Sequence, residues 1–218
     1  MKINFQGPFV APDGASTVLV VRHGAVDPPA PDGLIGGRSD PGLNARGREQ
    51  AAALRARLAQ EPIVALFTTQ LCRTGETAAV ILGDHALEPI ELPALGEVYL
   101  GEWEGHGIHE RGARADPEFV RVMAEQRWDL IPGAEDGEAF AVRVRAGLTQ
   151  VADAVVEGGV AVTVTHGAVI AEICRQVTGS EPFAFLTSAN ASITRLVRMP
   201  DGRWVLLSFN ETEHLHPS

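Results

Sequence analysis

Thr17-Val18-Leu19-Val20-Val21-Arg22-His23-Gly24-Ala25 is the stretch that decides the fold. Four consecutive aliphatic residues stopping at a cation, an imidazole and a glycine read as a buried parallel strand whose carboxyl end opens into a loop. In an open α/β sheet that end is where ligands sit. An arginine beside a histidine there can hold a phosphate with its guanidinium fork while the imidazole faces the phosphorus, and Gly24 lets the backbone approach closely.

Working outward, Val160 to Thr165 repeats the design and stops at His166-Gly167. Between the two, Ile63 to Phe67 is a further apolar strand, Ile90 to Leu92 a short one, and Ala191–Val197 with Arg203–Phe209 reads as a hairpin about Pro200-Asp201-Gly202. Helices are expected from Asn44, an N-cap, to Gln60; from Leu71 to Leu82; from Asp116 to Arg127; from Glu135 to Val156; and from Ala168 to Val177. The alternation predicts a parallel sheet covered by helices. Residues 1–16, with Gly7, Pro8, Pro12 and Gly14, read as an N-terminal arm, and 17–218 as a single domain. Pro28-Pro29-Ala30-Pro31-Asp32-Gly33 and Gly36 to Gly42 make a long loop that leaves the Arg-His strand end and is expected to wall the site.

Composition narrows the partners. With 45% hydrophobic and 21% charged residues the chain belongs with soluble globular proteins. A net charge of −10 argues against nucleic acid or an anionic membrane, so any bound anion needs a local pocket. Lys2 is the only lysine, so 17 of the 18 basic residues are arginine, a compositional bias rather than a design. No run has the length of a membrane span and no secretory leader pattern opens the chain, which points to the cytoplasm. Cys72 and Cys174 lie far apart without metal-ligand spacing and read as buried thiols, with Arg73 placed to lower the Cys72 pKa.

Two strands ending in histidine bring both imidazoles to one crevice if the strands are neighbours. Arg73, in Thr68-Thr69-Gln70-Leu71-Cys72-Arg73, follows a third strand at a helix start; taken alone it reads equally well as a helix-surface arginine, but its sheet edge favours a second guanidinium on the same anion. Glu97 is the acid of choice among Glu97, Glu102 and Glu104, because glycines and aromatics around it make a partly apolar turn that raises a carboxyl pKa. Glu102 and Glu104 read as solvated, and Trp103 as packing. His106 and His109 lack a matching ligand cluster and, like His85, His214 and His216, read as non-ligands.

Arg22-His23-Gly24, Arg73, Leu95-Gly96-Glu97 followed by Gly101-Glu102-Trp103-Glu104-Gly105, and Thr165-His166-Gly167 occur in the order and spacing of a known family. The chain resembles the histidine phosphatase superfamily, also called phosphoglycerate mutase-like, over roughly residues 17–209. The resemblance implies a three-layer α/β/α sandwich with a mostly parallel central sheet, and a phosphoryl transfer in two steps. His23 would become phosphohistidine, Arg22, Arg73 and His166 would bind the phosphoryl oxygens, and Glu97 would act as general acid and then base. No metal or other cofactor is expected, and the substrate would be a small phosphorylated metabolite. The family's polar continuation after Arg-His-Gly is here Ala25-Val26-Asp27-Pro28-Pro29, its helix-start Thr is Asn44, and Glu135-Asp136 stands where Glu-Ser is frequent. An intact core with an altered wall favours a phosphatase; the alternatives are a mutase-like phosphotransferase and a catalytically weak phosphate-binding module. Specificity is expected from loop Val26–Pro41, with Arg38 as a second anion contact, and from Gly105–Ala134. The exposed face of the terminal hairpin is the expected surface for a homodimer.

Overall fold

The computed structural model describes residues 7, 9–27, 36–106, 108–156 and 158–216. The opening strand, β1 (Ser16–Arg22), is central: it pairs in parallel with β4 (Val160–Thr165) on one edge and antiparallel with β5 (Ile193–Arg198) on the other. β2 (Ile63–Thr68) lies outside β4, the two-residue β3 (Ile90–Glu91) lies outside β2, and β6 (Trp204–Glu211) completes the hairpin with β5. The order is therefore β3-β2-β4-β1-β5-β6, four parallel strands followed by an antiparallel pair. Val18 to Val21 and every residue of β4 are buried, which is why both read as continuous apolar runs.

Strand alternation splits the core in two. Leu19 and Val21 face α1 (Ala45–Leu58) and α2 (Cys72–Leu82), meeting Leu54, Leu58, Ala78 and Ile81. Val18 and Val20 face α5 (Gly137–Asp153) and α6 (Gly167–Thr178), meeting Val144, Leu148, Val169 and Ile173. Helices on both faces of the sheet make the expected three layers. A short α3 (Ile108–Ala113), which the sequence reading missed, precedes α4 (Pro117–Glu125), where Val122 is buried. No helix among the described residues is long and apolar enough to cross a membrane.

Helix ends follow local chemistry. Asn44 caps α1 by accepting from the Gly47 amide at 2.8 Å, and Asp116 and Asp136 cap α4 and α5. α5 accordingly starts after Glu135, not at it, because Glu135 is drawn to Arg143. Of the expected arm, residues 9–15 reach β1 through a turn closed by Ala15 N–H on Pro12 O at 3.1 Å, with Phe9 and Val10 exposed. The reading of Pro28–Gly33 as a wall lies outside the described residues, as does the arm's beginning.

Candidate active site

The ladder itself brings the histidines together. Arg22 pairs with Thr165, and the His23 amide continues the ladder to the Thr165 carbonyl at 3.0 Å, so His23 and His166 leave neighbouring strands side by side. Their ring centroids are 5.3 Å apart with planes tilted by 58°. His23 Nδ1 is 2.7 Å from the Gly24 carbonyl, which can only accept, so Nδ1 carries the hydrogen and Nε2 the lone pair. Burial, and then the charges of Arg73 and Arg22, push the His23 pKa down to about 3. The imidazole is thus neutral at pH 7, with the lone pair on Nε2. His166, fully buried at the start of α6, is likewise held well below the usual range by burial and by His23 and the arginines, and its Nε2 meets Thr69 Oγ1 at 3.0 Å.

The guanidiniums are each half committed to the protein. Arg22 donates from Nη1 to Ser188 O. Arg73 is fully buried and donates to Ser39 O at 2.7 Å and Gly36 O at 3.1 Å. Burial lowers both pKa values, with Glu97 opposing, but a guanidinium stays charged. Arg22 Nε, Arg73 Nε and His166 Nδ1 are buried without a hydrogen-bond partner among the described residues. Each orphaned buried polar atom costs about 1–3 kcal/mol, a cost that an anion accepting from the two guanidinium N–H groups would relieve for those.

Glu97 comes from irregular chain. A 3₁₀ turn, Pro93–Leu95, seats Leu95 in the core, and Thr165 Oγ1 donates to Leu95 O at 2.7 Å. The Glu97 carboxyl accepts from the Val98 amide at 2.9 Å and the Ala168 amide at 3.4 Å. Removal from water nevertheless raises its pKa, outweighing those amides and both arginines. That is the state a general acid needs.

The loop that runs from Gly36 sits on this segment. Gly37 N–H donates to Val98 O at 3.0 Å, and a Cβ on Gly37 would lie 2.6 Å from Glu97 O. Arg38 stacks on the Tyr99 ring at 3.9 Å and makes no ion pair among the described residues. Glu104, expected to be solvated, instead accepts from the amides of Arg38 and Ser39, and its Oε2 is buried; Glu102 is exposed as expected. Trp103 is packed in the core.

One further expectation is corrected. Cys174 is buried but Cys72 is exposed, because it opens α2 on the outward side; the Asp40 carboxylate, not Arg73, governs its thiol and raises the pKa. Gly24 is a glycine because of helix α1: a Cβ there would lie 2.5 Å from Gly47 O.

Arg22, His23, Arg73, Glu97 and His166 are all placed at one edge of the sheet. Sequence reasoning missed what holds them. Asn190 donates to His23 O at 3.0 Å, and Ala191 N–H bridges Arg22 O and His23 O at 3.0 and 3.1 Å while its φ is +58°. A fully buried alanine in the left-handed region, bonded to both strand-end carbonyls, is local strain of about 1–2 kcal/mol spent beside the site. Arg143, Glu135 and Thr69 were also missed; only the Glu135-Asp136 pair had drawn notice.

Known proteins resemble this chain in sequence and in fold. The model of the histidine phosphatase superfamily (branch 1) matches residues 18–212. A metal-independent phosphoserine phosphatase of Arabidopsis thaliana is 32% identical over 204 residues, covering 91% of this chain and 82% of the relative. Phosphoglycerate mutase-like protein 4 of the same plant is 28% identical over 204 residues, covering 91% and 86%. Among solved structures, phosphoglycerate mutase from Bacillus anthracis str. Sterne superposes with a TM-score of 0.82 at 23% identity, covering 93% of this chain and 96% of that one, a likeness of fold.

Proposed function

The chain belongs to the histidine phosphatase superfamily, and from that premise we propose that it hydrolyses a small phosphomonoester through a phosphohistidine on His23. The observation that carries this reading is the fixed tautomer of His23: Nδ1–H is held on the Gly24 carbonyl, and Nε2 is unprotonated on a ring that feels the charges of Arg73 and Arg22. The Nε2 lone pair forms the N–P bond as the ester P–O bond breaks, and protonated Glu97 gives its proton to the departing alkoxide. Glu97, now a carboxylate, takes a proton from water; the water oxygen bonds phosphorus, the P–N bond breaks and its electrons return to Nε2. Arg22, Arg73 and His166 hold the phosphoryl oxygens, whose negative charge replaces the missing partners of Arg22 Nε, Arg73 Nε and His166 Nδ1. These side chains bring cationic charge and unpartnered N–H groups to the transfer.

Arg38, stacked on Tyr99 two residues beyond Glu97, gives the leaving-group side an uncommitted cation, which favours esters whose alcohol carries a carboxylate. The test is phosphate release from a panel of phosphomonoesters, carboxylate-bearing and neutral, together with acid-labile phosphate labelling of the protein. Release and labelling are expected, both lost in His23→Ala. Release that needs a bisphosphorylated primer would favour the mutase reading; phosphate binding without release would favour the binding module.

A further inference from the structure

Arg143 does not belong to the five residues that make up the proposed machinery, yet its side chain is more fully engaged than any of theirs. Nε and Nη2 take the Glu135 carboxylate at two points, at 2.6 and 2.8 Å. Nη1 donates to Ala94 O at 2.9 Å and Gly96 O at 2.6 Å, and Nη2 to Glu97 O at 3.3 Å. The guanidinium also lies over the Phe140 ring, 4.8 Å from its centre. Glu135 in turn exchanges contacts with Tyr99: its amide donates to Tyr99 O at 2.9 Å and its carboxylate accepts from Tyr99 N at 3.4 Å. Residues 94–99 are neither α-helix nor strand, so no ladder holds the backbone that carries Glu97.

We propose that Arg143, locked flat by Glu135 and Phe140, is a positioning residue for Glu97: it fixes three consecutive-segment carbonyls and thereby the placement of the carboxyl against the leaving oxygen. The inference rests on the function proposed above. A planar fork with five donors suits this task, and a lysine cannot reproduce it. Its expected signature is selective. Proton delivery matters for an alkoxide leaving group and hardly at all for a stabilised phenolate, whereas the phosphate pocket serves both.

The experiment measures kcat/KM, which reports the phosphorylation of His23, for p-nitrophenyl phosphate and for an alkyl phosphomonoester from the panel, in the unchanged protein, Glu97→Gln, Arg143→Gln and Arg143→Lys. A misplaced catalytic group typically costs about 10²-fold, so Arg143→Gln is expected to lose about 10²-fold on the alkyl ester and at least tenfold less on the aryl ester. Arg143→Lys should show the same split, smaller, and carries the comparison if the glutamine variant does not fold. Equal losses on both esters, or none, overturn the proposal while the split in Glu97→Gln stands. No split in Glu97→Gln overturns the function assigned to Glu97, and this inference with it.

Discussion

The two halves of the site are held by different physics. His23, Arg22 and His166 stand at the ends of β1 and β4, where a continuous run of backbone hydrogen bonds from Thr17 to the His23 amide sets their separation. Glu97 stands on irregular chain whose carbonyls are taken by Thr165, Arg143 and the Gly37 amide, directly or through neighbours. Three of the groups proposed to hold the phosphoryl group leave the strand ends, Arg73 joins them from the start of α2, and the group proposed to move the proton is attached to the sheet by side chains. The first half can fail only with the fold. The second can fail alone.

That contrast can be broken by experiment. The largest effect is expected in Glu97→Gln, where kcat/KM for an alkyl ester should fall about 10³-fold, roughly 4 kcal/mol, with the unfolding temperature unchanged or raised because a buried carboxyl is relieved. A drop of many degrees would mean that this half also holds up the fold. Next is Gly47→Ala, in which the new methyl would lie 2.0 Å from Ala25 O, backbone against backbone. About 3 kcal/mol of stability should be lost in denaturant unfolding, and activity should follow stability rather than precede it.

Acid should act on the strand-borne half. His23 has a folded pKa of about 3 against 6.5 unfolded, so between those values the unfolded chain binds the extra proton and stability falls as pH drops. The loss assigned to His23 is about 2 kcal/mol at pH 5 relative to pH 7.5, and His23→Gln should flatten the curve by that amount. An unchanged slope would show that the imidazole titrates alike in the native and unfolded chains, against the burial argued here. The smallest effect belongs to Glu104→Gln, which weakens two amide contacts to the loop: about 1 kcal/mol, seen as faster hydrogen exchange at Arg38 and Ser39 with little change in global unfolding.

The same division governs what could be read from the chain. The strand-end residues are legible because buried parallel strands leave an unbroken apolar run, and a polar residue after such a run has only the crevice to enter. β1 and β4, the cap Asn44, and the membership of Glu97 in an apolar turn all follow from local patterns. Arg143 and Glu104 do not: each is a charged residue in a sequence that looks solvated, and its partners are carbonyls or amides tens of residues away, which side-chain identity does not announce. The Cys72 error has a related source, since the neighbour in sequence, Arg73, points into the core while Asp40 arrives from another segment. Gly24 was recognised as a close-approach glycine, but what approaches it is α1, a fact of packing.

The strand order carries a consequence for how the protein is made. β1 leaves the ribosome well before both its neighbours, residues 160–165 and 193–198. Until those segments emerge, Thr17 to Val21 presents two bare rows of amides and carbonyls on a strongly apolar stretch, the kind of segment that other chains capture. The residue proposed to take up the phosphoryl group therefore waits, during synthesis, on a strongly adhesive part of an unfinished sheet.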